Sequence, residues 1–372
     1  MHFPKTITIV LLLSLTAHLT FGQTIKTSNS PMAKVDSFIQ MQGAAFAKEY
    51  SFVALSIGVT QNGKTYFYNF GTTKYKQKQL PSSTTTYEIG SISKTITGTL
   101  LAQAVIDGKV RLDDDIRKYI SANYPNLEYE GQPIRLSHLL NHSSGLPFNL
   151  PVKPGKFVTL QDSIAFEQKR TIYTPKDFFT DLHQIKLVNI PGVNLNYSNA
   201  ATQLLGFILE RIYQMPFNEL VQKYIASPLK MNRTYSLMPK TQQLPGHNGI
   251  GKTMSYVLPQ EAAAAGIYST TEDLIRYAQW HIDESNPVVK LTHQPTWGNI
   301  QYYAMGLNWQ MDDKAPMPRR VFQSGGTLGF SSYLIIHPEQ KNGIVLLTNV
   351  SDQNTQGQLS VIAKEVLKLL EQ

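Results

Sequence analysis

A chain of 372 residues without a single cysteine can form no disulfide and no thiolate metal site, yet it is long enough for one large two-lobed unit or two domains. Its 34 Lys and Arg against 26 Asp and Glu leave a net charge of +8, with the cations scattered along the chain. The densest run, Lys74-Tyr75-Lys76-Gln77-Lys78, reads as a solvated loop, so nucleic acid is not an expected partner.

Residues 1–22 have the plan of a secretory signal peptide. Lys5 is the only charge, Ile7 to Leu15 is almost wholly apolar, and Gly22 supplies a small residue before a cleavage at Gln23. The apolar run is too short to span a bilayer comfortably, so no integral membrane span is expected after cleavage. Export without cysteine points to a bacterial periplasm or exterior.

Ala33 to Lys48 follows a helical period. Val53 to Thr60 and Lys64 to Phe70 read as strands joined by Gln61-Asn62-Gly63, and Asn-Gly between such runs signals a hairpin. Ser91-Ile92-Ser93-Lys94 then opens an apolar-periodic segment through Ile96, Leu100, Leu101, Val105 and Ile106, with Gly108 as its stop signal. A serine and a lysine at this spacing share one helix face, one turn apart. The amine is then placed to take the hydroxyl proton, which is what a serine needs to become a nucleophile near neutral pH. Thr95-Ile96-Thr97 is a mediocre helix former, so burial must hold this helix. A second copy of the spacing, Ser227-Pro228-Leu229-Lys230, breaks at its proline and reads as a helix terminus after Phe217 to Ile225.

His142-Ser143-Ser144-Gly145-Leu146-Pro147-Phe148-Asn149 is a polar turn ending in an amide. His138 and His142 lie four apart, but Leu139-Leu140 between them reads as core packing and no zinc pattern accompanies them, so neither metal nor cofactor is expected. Tyr197-Ser198-Asn199 precedes the helical run Ala201 to Tyr213. A phenol beside a lysine can share protons, and an amide can hold a substrate carbonyl or the lysine itself. Glu272 to His281 is helical, with Ser269-Thr270-Thr271-Glu272 as a capping box. The glycines of Phe322-Gln323-Ser324-Gly325-Gly326-Thr327-Leu328-Gly329-Phe330 mark close backbone approach to a ligand, with a strand N–H free to meet an oxyanion. Ser331 to His337 and Ile344 to Asn349 form a second hairpin, and a closing amphipathic helix carries Leu359, Ile362, Val366 and Leu369 on one face. His247, His281, His293 and His337 sit in no familiar Ser-His-Asp context.

Strands at both ends and helices between them give an α+β architecture. One antiparallel sheet is built from both termini and covered by the terminal helices, with a mainly helical lobe inserted. Residues 23–372 are expected to form a single catalytic domain, with the α/β lobe over about 33–90 and 285–372 and the helical lobe over about 91–284. The cleft is expected between the lobes.

Tyr87-Glu88-Ile89-Gly90-Ser91-Ile92-Ser93-Lys94, Tyr197-Ser198-Asn199 and Gly325-Gly326-Thr327-Leu328-Gly329-Phe330 occur in the order found in class C β-lactamases and related serine peptidases and esterases. The chain resembles that family over nearly all of residues 33–370, with supporting matches at Leu139 to Pro147, Gly266 to Leu274 and Gly306 to Trp309. The resemblance implies a β-lactamase/penicillin-binding-protein-like fold and an acyl-enzyme mechanism. Ser91 matches the family nucleophile, Lys94 its partnering amine, and Tyr197 the phenol that shares acid/base duty. Asn149 and Asn199 match polar groups of the acyl pocket, with Asn149 standing where the class C pattern has Gln. The N–H groups of Ser91 and Gly326 fall where the family builds its oxyanion hole.

Two departures bear on substrate. Gln323-Ser324-Gly325 replaces the Lys-Thr-Gly of the lactamase and carboxypeptidase pattern, removing a cation whose contact with a substrate carboxylate is worth roughly 1.5–3 kcal/mol. Arg319 or Arg320, just upstream, is a candidate to restore that charge. The stretch from Trp309 to Gln323 is also shorter than in class C lactamases, which implies a more open cleft. The expected substrate is a β-lactam, a D-amino-acid peptide or an ester. The alternative reading is a penicillin-binding sensor or a peptidoglycan-fragment binding protein with slow or no turnover.

Overall fold

The computed structural model describes residues 31–74, 79–153, 155–156, 159–237 and 244–372. The predicted signal segment and residues 75–78 of the lysine-rich run lie outside the described residues. Eight strands form one antiparallel sheet: β1 (Ala54–Gln61), β2 (Lys64–Gly71), β3 (Trp297–Asn299), β4 (Tyr303–Met305), β5 (Gln310–Asp312), β6 (Arg320–Gly326), β7 (Ser331–His337) and β8 (Asn342–Thr348), in the spatial order β2-β1-β8-β7-β6-β5-β4-β3. Gln61 pairs with Lys64 across Asn62-Gly63, the predicted hairpin. The two ends of the chain meet where β1 pairs with β8, from Leu55 opposite Thr348 to Gln61 opposite Asn342. β3, β4 and β5 extend the sheet beyond what the sequence predicts, because three-residue strands are too short for alternation to register.

Helices cover both faces. α1 (Pro31–Glu49) and α5 (Thr355–Leu370) pack on one face, where Val35, Ile39, Leu359, Ile362 and Val366 close a core with Ile57, Ile335 and Leu346. On the other face lie α2 (Ser93–Ile106), α3 (Asn199–Tyr213) and α4 (Thr271–Ile282), whose core includes Ile96, Leu204, Ile275 and Leu334. α2 is buried around its circumference, Thr95, Thr97 and Thr99 included. Its threonines answer their own hydroxyls: Thr95 donates to the Ile92 carbonyl at 2.8 Å and Thr97 to that of Ala263 at 2.7 Å. Burial thus compensates for poor helix propensity.

Two expectations shift. α4 is capped by Thr270, which accepts from the Asp273 N–H at 3.1 Å, one residue later than predicted. Ser269 is committed elsewhere, paired as a strand residue with Tyr87 and bonded through its hydroxyl to Thr234 at 2.8 Å. α4 also lies against β1 and β8, with Gln279 donating to Thr60 at 3.0 Å, so the expected helical stretch 91–284 closes with a helix of the sheet layer. Among the described residues, no helix is long and apolar enough to cross a membrane.

Candidate active site

Ser91 sits in a single 3-10 turn, Gly90–Ile92, that runs directly into α2. Lys94 follows on the first turn of that helix, fully buried. Its Nζ donates to Ser91 Oγ at 2.9 Å and to the Ala264 carbonyl at 2.7 Å. Burial lowers its pKa from the usual lysine value, opposed by the Tyr197 phenol and more weakly by Glu261.

Tyr197 arrives from the segment leading into α3. Ser198 caps that helix, its Oγ accepting from the Ala201 N–H at 2.9 Å and donating to the Pro147 carbonyl at 2.6 Å. The cap fixes Tyr197 one residue upstream, and its hydroxyl donates to Ser91 Oγ at 2.7 Å. The phenol ring lies 5.0 Å from Lys94 Nζ and packs on the His142 ring with centroids 4.2 Å apart. Burial, aided by Lys94, pushes His142 down to about 3, so it serves as a neutral ring against the phenol. Asn199 Nδ2 donates to Asn149 Oδ1 at 2.9 Å, and the Asn199 N–H is held by the Phe148 carbonyl at 2.8 Å. The polar turn 142–149 and the start of α3 therefore form one wall beside Ser91.

The opposite wall is the end of β6. Gly90 has a φ of +51°, and a Cβ there would lie 2.6 Å from the Gly326 nitrogen. A Cβ on Gly325 would lie 3.0 Å from the Ser91 nitrogen and would strike the Ile89 carbonyl. The serine turn and the strand end thus abut backbone to backbone, which only glycine permits. Glu88, in the short strand before the turn, is buried and accepts from the Val257 N–H at 2.7 Å and the Tyr268 hydroxyl at 3.1 Å. Desolvation raises its pKa.

The third-motif residues divide. Gly326 and Ser324 are accessible at the strand end, whereas Gln323 is 1% exposed. Its amide donates to the Asn308 carbonyl at 2.9 Å and accepts from Gln310 at 2.7 Å and from the Ser324 N–H at 3.1 Å. It is occupied within the protein. Neither arginine supplies the missing cation. Arg319 is held by Glu284 at 2.7 Å and Glu339 at 2.8 Å, and Arg320 is ion-paired with Asp312. Arg320 also stacks over Phe322 on the sheet face opposite Gln323, since three residues along a strand reverse the side. Only residues 313–319 join β5 to β6.

Glu88 and Asn308 stand within the sequence motifs with no role legible there, and His142, which the sequence offers only as an unsupported metal ligand, backs the Tyr197 ring. Asn308 Nδ2 ties β6's partner network to α2 by donating to the Lys94 carbonyl at 3.1 Å. Ala264, Gln310 and Tyr303 were not singled out. Tyr303 donates to Gln310 at 3.1 Å, and burial with the nearby Tyr197 pushes its phenol up to about 12. The second Ser-x-x-Lys behaves as a terminus: Ser227 and Lys230 are exposed, and Lys230 has a φ of +55°. His138 accepts from the Arg135 N–H at 3.2 Å, a local turn contact. Among the described residues, no group of three or more His, Asp or Glu is arranged to hold a metal.

The Beta-lactamase family model matches residues 35–364. A beta-lactamase of Yersinia enterocolitica is 27% identical over 343 residues, covering 81% of this chain and 83% of that protein. Protein flp of Staphylococcus aureus is 25% identical over 314 residues, and the match spans 60% of its length. The crystal structure of a beta-lactamase/D-alanine carboxypeptidase from Pseudomonas syringae shares the fold, with a TM-score of 0.75, 24% identity, and coverage of 90% of this chain and 99% of that one. One from Yersinia pestis superposes with a TM-score of 0.74 at 24% identity.

Proposed function

The chain belongs to the beta-lactamase family of serine hydrolases, and from that premise we propose that it is an exported hydrolase of an amide, lactam, D-peptide or ester bond, acting through an acyl-enzyme on Ser91. The observation that carries this reading is the convergence of Lys94 Nζ at 2.9 Å and Tyr197 OH at 2.7 Å on Ser91 Oγ. Lys94, disposed by burial toward its neutral form, takes the hydroxyl proton as Oγ attacks the carbonyl carbon. The developing oxyanion meets the N–H groups of Ser91 and Gly326. Collapse expels the leaving group, which is protonated through Tyr197. Water then adds to the acyl carbon with the same pair as base, and the acid departs as the Ser91 hydroxyl re-forms. The amides of Asn149 and Asn199 orient the acyl group.

Intact-protein mass after brief and long exposure to a penicillin, a cephalosporin and an activated ester tests the reading. The expected result is an adduct that forms and clears on the wild type and never appears on Ser91→Ala. An adduct that persists indicates a penicillin-binding sensor, and an adduct on Ser91→Ala overturns the nucleophile. Export is tested in the same instrument: the mature protein recovered from a bacterial host is expected to begin at Gln23.

A further inference from the structure

We propose that the acyl half of the substrate is an uncharged apolar group, seated in the cleft beyond Asn149 and Asn199; this rests on the acylation of Ser91 argued above. A cavity of about 560 Å³ opens there, within the usual size of small-molecule sites. It reaches the reaction centre at two points. One is Ala264, whose carbonyl holds Lys94 Nζ at 2.7 Å, and the other is Gly326, which abuts the serine turn at Gly90.

Away from the serine, the walls are aromatic: Phe166, Tyr173, Phe178, Phe207 and Tyr256. Its rim is apolar and open to solvent, with Phe148 at 58%, Val152 at 54% and Leu328 at 52% exposure. Apolar side chains left this exposed around a concave site gain by covering hydrocarbon. The charged lining residues are two cations, Lys153 and Arg170, and two carboxylates, Glu167 and Glu261. Arg170 reaches both carboxylates, at 3.1 and 3.2 Å. With signs balanced and the guanidinium engaged, the cleft offers no net field to attract an ionised acyl group. Ala265, beside Ala264, leaves the inner end of the cavity wide.

In the reaction on a simple ester, a bond forms between Ser91 Oγ and the acyl carbon as the ester C–O bond breaks and the alkoxide leaves. Water then cleaves the acyl–Oγ bond and releases the carboxylic acid. The test measures kcat/KM for 4-nitrophenyl acetate, butyrate and hexanoate and for the 4-nitrophenyl monoester of glutaric acid, each relative to its hydroxide-catalysed rate. Each methylene buried is worth about a fourfold gain, so hexanoate is expected to exceed acetate on the order of a hundredfold. The glutarate monoester, with its ionised end, is expected to fall at least about tenfold below hexanoate.

Ala265→Phe narrows the cavity and is expected to cut the hexanoate-to-acetate ratio about tenfold; if it does not fold, Phe148→Ala is expected to lower the same ratio by removing the rim. A flat chain-length series, a preference for the glutarate monoester, or an unchanged ratio in the folded variant overturns the proposal. Acetylation of Ser91 seen by mass in that event leaves the hydrolase reading standing. Absence of any Ser91 adduct with all four esters overturns both.

Discussion

The Ala264 carbonyl oxygen lies 2.7 Å from Lys94 Nζ, so the amine that touches Ser91 is anchored from behind by backbone. That anchor needs no charge, and the amine is wholly buried. Burial lowers the pKa of Lys94 below its usual 10.5, which enlarges the neutral, proton-accepting fraction at any given pH. The rate of acylation by an activated ester is therefore expected to rise along a limb whose apparent pKa lies below 10.5. Lys94→Arg, which cannot give up its proton, should abolish that limb and lower kcat/KM by roughly 10²–10⁴-fold. A limb at or above the ordinary lysine value contradicts Lys94 as the base.

Gly90→Ala should harm activity more than stability. The left-handed φ of +51° costs an L-residue about 1–2 kcal/mol, and the new Cβ would press on the Gly326 nitrogen at 2.6 Å. Displacing one oxyanion donor costs about 10²–10³-fold in kcat. Kinetics alongside urea unfolding separate the two effects. A variant destabilised as expected but with kcat intact would show that the Gly326 N–H plays no part.

Gln323→Lys is the direct way to restore the missing cation, and the structure changes what to expect of it. The new side chain would enter a site that is 1% exposed. It would leave the Gln310 amide and the Ser324 N–H without their acceptor. We expect a loss of about 1–3 kcal/mol from the unpaired polar groups and no gain in acylation by carboxylated β-lactams. A tenfold gain would mean that the substrate carboxylate does reach this position. Arg319→Ala and Arg320→Ala should leave selectivity for acidic substrates unchanged, since both guanidiniums are engaged by carboxylates.

His281 offers a pH signature remote from the chemistry. His293 Nδ1 lies 2.6 Å from Glu284, His293 Nε2 lies 3.1 Å from His281 Nδ1, and His281 Nε2 lies 3.4 Å from the Thr99 hydroxyl on α2. Thr99 gives its own hydroxyl proton to the Thr95 carbonyl at 3.0 Å, so complete burial, rather than the direction of these contacts, is what keeps His281 neutral. Burial, with His293 adding to it, holds His281 well below 6.5. As pH falls, the unfolded chain takes up this proton first. The stability contribution is full above about 6.5 and declines below it, by about 1.4 kcal/mol per pH unit, until the folded pKa is reached. Urea unfolding between pH 7 and 5 should show His281→Gln less stable at pH 7 but with a slope smaller by about one proton. An equal slope in both proteins contradicts this.

Much of the architecture could be read from the amino-acid order because it rests on local rules. Helical period placed α1, α3 and α5, Asn62-Gly63 placed the first hairpin, and Pro228 set the second Ser-x-x-Lys apart from the first. The pairing of Ser91 with Lys94 belongs to the same class, since a three-residue spacing on a helix brings the groups within one turn. Spacing and periodicity do not reveal remote partners. Tyr197, 106 residues from Ser91 along the chain, is paired with it in the sequence only through the family resemblance, and nothing in the sequence points to Ala264, 170 residues from Lys94. The satisfaction of Gln323, the pairing of Arg319 and Arg320 with carboxylates, and the attachment of α4 to the sheet depend on the same kind of contact. Spacing and periodicity act over a few residues and determine which face a side chain takes. Only the closure of the sheet from both termini, with the helices docked across it, decided which faces meet, and with them the depth of the cleft beside Ser91 and the engagement of Arg319 and Arg320 that keeps either from replacing the cation absent at Gln323.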